Sequence, residues 1–226
     1  MIDLKWLNSQ CEDDAYALPR IEDLLVKQAK ASCFTVMDLK DAFHQMPVHP
    51  DSRRYTGTDS PIGMLQWRVL PMGWKNGVAF CQRNIETALR PVENTTSGYI
   101  DDLLIGTVWQ IEHDTEAMLR QHDVDIRRTL DALNTAQLVA SGPKCQFFVK
   151  EVEWCGNVLR DGVRKPMPGK LSAIAKWELP MTVTAPRSFL GFCNYYSTYI
   201  QGFTMMAASV LDKLKVGRTE GKKGSK

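Results

Sequence analysis

The sequence has no long run of apolar residues. None of its segments approaches the roughly 18 to 20 consecutive apolar residues that a membrane-spanning helix requires. The opening residues, Met-Ile-Asp-Leu-Lys, also lack the apolar stretch of a secretory signal peptide. We therefore expect an intracellular protein that does not span a membrane.

The sequence also offers few groups for a thiolate or imidazole metal site. It has four histidines, and its six cysteines include no Cys-x-x-Cys pair. We therefore interpret the cysteines as buried free thiols, and His44 and His49 as structural residues. The chain is otherwise 44% hydrophobic and 24% charged over 226 residues, which is typical of one large or two small globular domains.

Acidic residues are scarce in the C-terminal part of the chain. Residues 160–226 carry 12 Lys and Arg against 4 Asp and Glu, whereas residues 1–159 carry 16 against 22. The net charge of +2 therefore conceals a balance of +8 beside one of −6. This asymmetry favours a polyanionic partner bound at the basic end, with carboxylates elsewhere free to bind cations. The alternative is that the Gly- and Lys-rich run at 213–226 is only a solvated, disordered tail.

The apolar periodicity predicts a mixed α and β body followed by a helical module, with a boundary near residue 160. The predicted elements are a helix at 20–30, a strand at 32–39, a β region at 53–70, a helix at 76–90, strands at 95–100 and 103–108, a helix at 112–134, a hairpin of 146–149 with 153–159, and helices at 170–177, 186–200 and 204–214. Aromatic residues recur at helical spacing between 189 and 203. Packing in a helical core is our first explanation for them, and stacking on nucleic-acid bases is the second.

Three aspartates stand where a carboxylate is costly. Asp38 ends a predicted buried strand, and Asp101 and Asp102 separate two apolar strands. Adjacent carboxylates repel each other unless a cation lies between them, and carboxylate oxygens suit Mg²⁺ or Mn²⁺. The pattern thus favours the kind of site that performs two-metal phosphoryl transfer. The alternative is a solvated Asp-Asp turn, which the flanking apolar strands disfavour.

The motifs around these acids resemble those of reverse transcriptases. Tyr-Ile-Asp-Asp at 99–102 resembles the family's Tyr-x-Asp-Asp motif, and residues 34–45 resemble its first carboxylate motif. Leu-Pro-Met-Gly-Trp-Lys-Asn at 70–76, followed by Phe-Cys-Gln at 80–82, is similar to its template- and nucleotide-positioning segment. Residues 13–21, 142–148, 154–156 and 187–196 are similar to the start of the palm, later palm motifs, the primer grip and the thumb of gypsy-type long-terminal-repeat retrotransposons. The chain is thus identified as a reverse transcriptase domain of a gypsy-type retrotransposon Pol polyprotein.

The resemblance implies an α+β fold, with a polymerase palm built from an antiparallel sheet and packing helices. It assigns residues 1–32 to partial fingers and the start of the palm, and 33–159 to the palm with its catalytic carboxylates. Residues 160–214 would form a small thumb-like helical module, and 215–226 a disordered basic tail.

The resemblance also implies an activity, RNA-directed DNA synthesis, from an RNA or DNA template-primer and deoxynucleoside triphosphates. Two Mg²⁺ or Mn²⁺ ions would be held by Asp38 and Asp101 as shared ligands, with Asp102 in support. Lys144 would act on the leaving pyrophosphate, although a surface cation after a Gly-Pro turn is a close alternative. The further residues implied to bind nucleic acid are Tyr99, Trp154, Gly156, Arg164, Lys165 and Lys170.

Three residues are expected at the nucleotide. The resemblance places the Phe43 ring under the incoming sugar, where it would exclude a 2′ hydroxyl, and core packing is the alternative for this ring. Gly73 and Gln82 would line the nucleotide and template side.

The sequence departs from the family pattern in two respects. The chain begins too late to contain the part of the fingers that grips the triphosphate, and Val78 and Cys81 replace the Pro and Phe common in the middle motif. We also expect no ribonuclease H, protease or integrase segment within this chain. We expect the polymerase portion of a larger polyprotein. The alternatives are a catalytically inactive, truncated remnant that at most binds nucleic acid, and a relic that binds nothing.

Overall fold

The structure is a computed structural model that describes residues 3–109, 114–169, 172, 176–177 and 184–220, with the side chains of all of these except 184–187 and 213–220. It forms two compact units, Met1–Lys165 and Pro166–Lys226. The helices are α1 (Lys5–Gln10), α2 (Ile21–Gln28), α3 (Gly77–Leu89), α4 (Thr115–Thr135), α5 (Thr184–Tyr195) and α6 (Phe203–Glu220). The strands are β1 (Cys33–Asp38), β2 (Thr58–Ser60), β3 (Gly63–Leu65), β4 (Thr96–Tyr99), β5 (Asp102–Thr107), β6 (Gln146–Val149), β7 (Glu151–Trp154), β8 (Asn157–Arg160) and β9 (Val163–Pro166).

The first unit is organised around a four-stranded antiparallel sheet with the order β4-β5-β1-β6. β1 pairs with β5 from Cys33 opposite Thr107 to Asp38 opposite Asp102 without a break in register. Both strands are apolar along most of their length, since each face of the sheet is covered. This pairing brings the acidic ends of β1 and β5 together.

Two apolar clusters hold the sheet between helices and strands. On one face, Met37 and Ile105 pack with Ile85 of α3 and Ile126 of α4. On the other face, Phe34 and Leu104 pack with residues of α2, β7 and β8, which are Leu25, Val152, Trp154 and Leu159. The alternation of side chains along β1 and β5 therefore sets which cluster each residue enters.

The predicted hairpin of 146–149 with 153–159 is wrong. β6 pairs with β1 in the central sheet, and β7 pairs instead with β8 in a sheet that also contains β9. Only Lys150 separates β6 from β7, which is too short for a hairpin connection. The turn lies at Cys155-Gly156, where φ is 44° and 69°. Two positive φ angles are typical of the type I′ turn that joins hairpin strands.

The structure also moves the boundaries expected near residues 160 and 215. β9 joins β7 and β8, so residues 160–165 belong to the first unit rather than to the helical module. α6 continues through 215–220, the first part of the expected disordered tail, because extending a helix costs less than starting one. Lys170 and residues 221–226 lie outside the described residues.

The second unit contains a cluster of aromatic rings. Trp177 lies 5.5 Å from Phe189 and 5.7 Å from Phe192, and Phe192 lies 5.9 Å from Tyr196, measured between ring centroids. Tyr196 is buried, whereas Tyr195 is exposed. Packing within the unit therefore accounts for this aromatic run, as the first of our two explanations has it.

The cysteine prediction is confirmed in part, because none of the six cysteines forms a disulfide, and Cys33, Cys81 and Cys193 are buried. Within the described ranges, no helix is both long enough and apolar enough to cross a membrane.

A fully buried histidine ties α4 to the sheet. The two ring nitrogens of His122 lie 2.8 Å from the Thr35 hydroxyl of β1 and 2.7 Å from the Thr107 hydroxyl of β5. The Thr107 hydroxyl donates to the Asp125 carboxylate at 2.6 Å. Burial lowers the pKa of His122 below its ordinary value of 6.5, although the nearby charges of Asp125 and Asp123 oppose the shift. The imidazole is therefore neutral in the folded protein near pH 7.

We expect acid to destabilise the first unit through His122. Its pKa is lower in the folded state, so the unfolded chain binds the extra proton once the pH falls below 6.5. The stabilisation is complete above that pH and is lost by up to about 1.4 kcal/mol per pH unit until the folded pKa is reached. Urea unfolding between pH 7.5 and 5.5 measures this slope.

Two variants control the pH experiment. His122→Asn should have a flatter profile than the wild type over the same range, because the titrating ring is gone. His49→Ala should keep the wild-type profile, since His49 is exposed. Equal slopes in the wild type and His122→Asn would contradict the prediction.

Candidate active site

The ends of β1 and β5 place two of the three predicted acids face to face. Asp38 lies directly opposite Asp102, so both side chains point to the same side of the sheet. The backbone N–H of Leu39 donates to the carbonyl of Asp101 at 2.8 Å. This bond fixes the residue that follows β1 against the residue that precedes β5. The sequence predicted that Asp102 lies in the hairpin turn with Asp101. The structure places it instead in β5, as the first residue of the strand, where it pairs with Tyr99. The two-residue turn is Ile100-Asp101.

Lys144 approaches the same carboxylates from a third segment. The short 3₁₀ turn Gly142–Lys144 follows Ser141, whose N–H donates to the carbonyl of Asp38 at 2.7 Å. The Lys144 ammonium then reaches both carboxylate oxygens of Asp38, at 3.0 and 3.1 Å. The hydrogen bond and charge of Asp38 raise the pKa of Lys144, which therefore keeps its proton.

The charges of these groups also act on one another. Burial, followed by the charges of Asp101 and Asp38, raises the pKa of Asp102, and the charge of Lys144 opposes the shift. The Asp38 side chain is 17% exposed and that of Lys144 is 66% exposed. An exposed cation is thus paired with a largely shielded carboxylate.

The chemistry of this donor set suits a hard divalent cation. Asp38, Asp101 and Asp102 supply only carboxylate oxygens, and their mutual repulsion is what a cation would relieve. In the part of the chain that the structure describes, no three His, Cys, Asp or Glu side chains already form a group that could hold a metal. The acids would therefore have to move closer together, and Asp38 would exchange Lys144 for the metal.

The side chain of Gln82 in α3 supports the turn through hydrogen bonds. Ile100 has φ +57°, a left-handed conformation that is uncommon for a β-branched residue. Its N–H donates to the Gln82 side-chain oxygen at 2.6 Å, and the Gln82 amide nitrogen donates to the Gly98 carbonyl at 3.1 Å. Gln82 is fully buried. In this structure it supports the turn, and its expected place at the nucleotide stays a prediction.

The family profile described as reverse transcriptase (RNA-dependent DNA polymerase) matches residues 1–159. The chain belongs to the reverse transcriptase family. It is 30% identical over 216 residues to the Retrovirus-related Pol polyprotein from transposon gypsy of Drosophila melanogaster, which is 95% of this chain and 20% of that protein. It is 28% identical to the Transposon Tf2-3 polyprotein of Schizosaccharomyces pombe, again over 95% of this chain but 16% of that protein. The chain thus spans one fifth or less of the length of these curated relatives.

Solved structures share the fold. The foamy viral protease-reverse transcriptase dRH in complex with double-stranded DNA superposes with a TM-score of 0.79 at 18% identity, over 93% of this chain and 35% of that chain. The foamy viral protease-reverse transcriptase in complex with an RNA/DNA hybrid gives 0.67 at 18% identity, over 94% and 31%. The α+β fold class predicted from the sequence is confirmed.

Two of the residues expected at the nucleotide, Phe43 and Gly73, are at least partly exposed. Phe43 follows β1 in a 3₁₀ helix and is half-buried, with its ring 3.4 Å from where a Cβ on Gly77 would lie. Part of the ring therefore packs on the core and part remains open. Gly73 is exposed, has φ +93° and accepts a hydrogen bond from the Asn8 amide at 2.9 Å.

Of the residues expected to bind nucleic acid, the two aromatic residues pack on an apolar cluster, whereas the other three described ones lie in the β7–β8 turn or on β9. Trp154 is 2% exposed and lies in the core, so its ring is not a contact surface in this state. Tyr99 is half-buried against the same cluster. Gly156 forms the β7–β8 turn, and Arg164 of β9 pairs with the Glu22 carboxylate. Lys165 is exposed.

Sequence reasoning missed Glu86 and Tyr16. The Glu86 carboxylate accepts a hydrogen bond from the Gln82 amide at 2.8 Å and another from the Tyr16 hydroxyl. The signal was present in the i, i+4 spacing of Gln82 and Glu86 on a predicted helix. Tyr16 carried no comparable local signal, because it contacts Glu86 across the fold.

Proposed function

We propose that this chain is the RNA-directed DNA polymerase domain of a retrotransposon Pol protein. It would transfer nucleotides from deoxynucleoside triphosphates to a primer 3′ hydroxyl on an RNA or DNA template. The single observation that carries the proposal is the position of Asp38 opposite Asp102 at the ends of two paired strands, with Asp101 in the adjoining turn and Lys144 bound to Asp38. Members of the family generally depend on divalent metals.

Asp38 and Asp101 would hold two Mg²⁺ or Mn²⁺ ions as shared ligands, and Asp102 would support them. When bound, such ions supply an activated primer hydroxyl and charge neutralisation at the triphosphate. Lys144 keeps a proton on an exposed side chain, so it can leave Asp38 and bring that proton to the leaving pyrophosphate. Phe43 and the Gly73 backbone would border the nucleotide.

In domain terms, we propose that residues 33–159 form the palm and that the second unit contains the thumb. The known structures of this fold in complex with double-stranded DNA and an RNA/DNA hybrid support a nucleic-acid partner. The excess of positive charge after residue 160 supports the same partner, because neutralised phosphates release counterions.

Primer extension tests the proposal. The purified chain is given an RNA template, a labelled DNA primer, one complementary deoxynucleoside triphosphate and Mg²⁺, and the primer should lengthen by the templated number of residues. A chelator should stop extension. Binding without extension would favour the inactive remnant. Neither binding nor extension would indicate a relic.

Phe43→Ala should weaken discrimination against ribonucleotides. The half-buried ring lies just beyond the metal-binding acid, where it can exclude a 2′ hydroxyl, and a pocket contact of this size changes specificity by roughly tenfold or more. The measurement is the ratio of kcat/KM for a deoxynucleotide to that for the matching ribonucleotide. Val92→Ala is the control, because Val92 packs in the same core cluster and lies outside the motifs that resemble the nucleotide site. An unchanged ratio in Phe43→Ala would reduce Phe43 to a core residue.

A further inference from the structure

The left-handed turn at Ile100 depends on one buried amide for its position. A positive φ is unfavourable for a β-branched residue such as Ile100, so the surrounding structure must hold the turn. On the α3 side, the contact that does so is the Ile100 N–H to the Gln82 oxygen, at 2.6 Å. The adjacent Asp101 carbonyl is fixed by Leu39. A movement of Gln82 would thus shift Ile100 and, with it, the neighbouring Asp101.

A primary amide can support Ile100 in only one orientation. If the Gln82 amide turned over, its NH₂ group would face the Ile100 N–H, and two donors cannot bond. The nitrogen is held away from Ile100 by two acceptors, the Gly98 carbonyl at 3.1 Å and the Glu86 carboxylate at 2.8 Å. Neither a carbonyl nor a carboxylate can donate, so both acceptors favour the orientation that leaves the oxygen for Ile100, and Glu86 supplies the shorter of the two contacts.

A residue of the N-terminal segment holds Glu86 in place through a hydrogen bond. The Tyr16 hydroxyl donates to the other carboxylate oxygen of Glu86, and Arg83 lies 4.9 Å from the Tyr16 ring centroid while pairing with Asp14. Burial, and then the hydrogen bond and charge of Glu86, raise the pKa of Tyr16 to about 12, so the hydroxyl remains a donor across the physiological range. The chain of contacts runs from Tyr16 through Glu86 and Gln82 to Ile100.

We propose that Glu86, held by Tyr16, is a positioning residue for the Ile100-Asp101 turn, which it controls through the orientation of the Gln82 amide. The inference rests on the proposed polymerase function for its catalytic consequence. Glu86 is exposed on α3, so its replacement leaves the core intact. The role can therefore be separated from a role in folding.

The test measures the exchange of the Ile100 amide hydrogen by NMR alongside primer extension. Glu86→Ala should speed Ile100 exchange roughly tenfold, the factor for about 1.4 kcal/mol, and lower kcat by a similar factor with the KM for template-primer unchanged. Glu86→Gln, which keeps an acceptor, should restore both values to within about threefold of the wild type. Tyr16→Phe should shift both in the same direction by roughly threefold. Glu116→Ala removes an exposed carboxylate of α4 and should change neither.

The two readouts separate the inference from the proposed function. Unchanged Ile100 exchange in Glu86→Ala overturns the inference, whether or not the protein extends primers. Equal losses in Glu86→Gln and Glu86→Ala also overturn it, because the acceptor would then be irrelevant. If the wild type extends no primer but Ile100 exchange follows the expected order, the polymerase proposal fails and the positioning of the turn stands.

Discussion

Replacing Asp38 with asparagine is expected to abolish primer extension and leave the fold intact. Asparagine keeps the size of the side chain but removes the charge that would bind the metal ions and that now attracts Lys144. Since such metals supply several kcal/mol to the transition state, the rate should fall at least about a thousandfold. Single-nucleotide incorporation with Mg²⁺ measures the loss.

Asp123→Asn is the matched control for this variant. Asp123 is a carboxylate of α4 that pairs with Arg127 on the surface, so its replacement should leave the rate within about twofold of the wild type. Thermal unfolding of both variants checks that they fold. A folded Asp38→Asn protein that still extends primers at the normal rate would refute the catalytic interpretation of the site.

Gly106→Ala should be the most damaging small substitution in the central sheet. A Cβ at this position of β5 would lie 2.1 Å from the Gln28 side-chain oxygen and 2.8 Å from the Ala31 Cβ. Gln28 cannot simply swing aside, because it is buried and its amide nitrogen donates to Ser97 at 2.8 Å. Overpacking and the loss of this bond should together lower the free energy of unfolding by about 3 to 5 kcal/mol.

Gly57→Ala serves as the control for crowding. A Cβ there would meet its nearest atom, the Met64 sulfur, at an ordinary 3.6 Å, and φ is −57°. Urea unfolding should therefore give Gly57→Ala within about 0.5 kcal/mol of the wild type. If the two glycine variants are equally stable, α2 does not pack on β5 as closely as described.

The parts of the fold that the sequence predicted correctly are those with strong local patterns. The amphipathic helix beginning at Ile21 and the apolar strand ending at Asp38 carry their periodicity in consecutive residues. The proximity of Asp38 to the Asp101-Asp102 pair was predictable because both stand at strand ends. The ion pair between Lys144 and Asp38 was not, since no local pattern shows which strand β6 will join.

Other features depend on contacts between distant segments. Gln82 was expected at the nucleotide because its neighbours in sequence suggested so, whereas its burial follows from how α3 packs on β4. The Cys155-Gly156 turn was missed because cysteine is an unusual residue at positive φ. Trp154 was expected at a nucleic-acid surface, but the pairing of β7 with β8 turns its ring into the core.

The order of segments along the chain has a consequence for how the protein folds. Asp38 and Asp102 come together as soon as β1 pairs with β5, and at that stage they only repel each other. The compensating ammonium of Lys144 arrives with a later segment, which must close a long loop before it contacts the end of β1. Pairing of β1 with β5 is therefore opposed at its acidic end until that loop closes. Raised salt should speed this early step by screening the repulsion, so the rate of refolding should depend on the ionic strength.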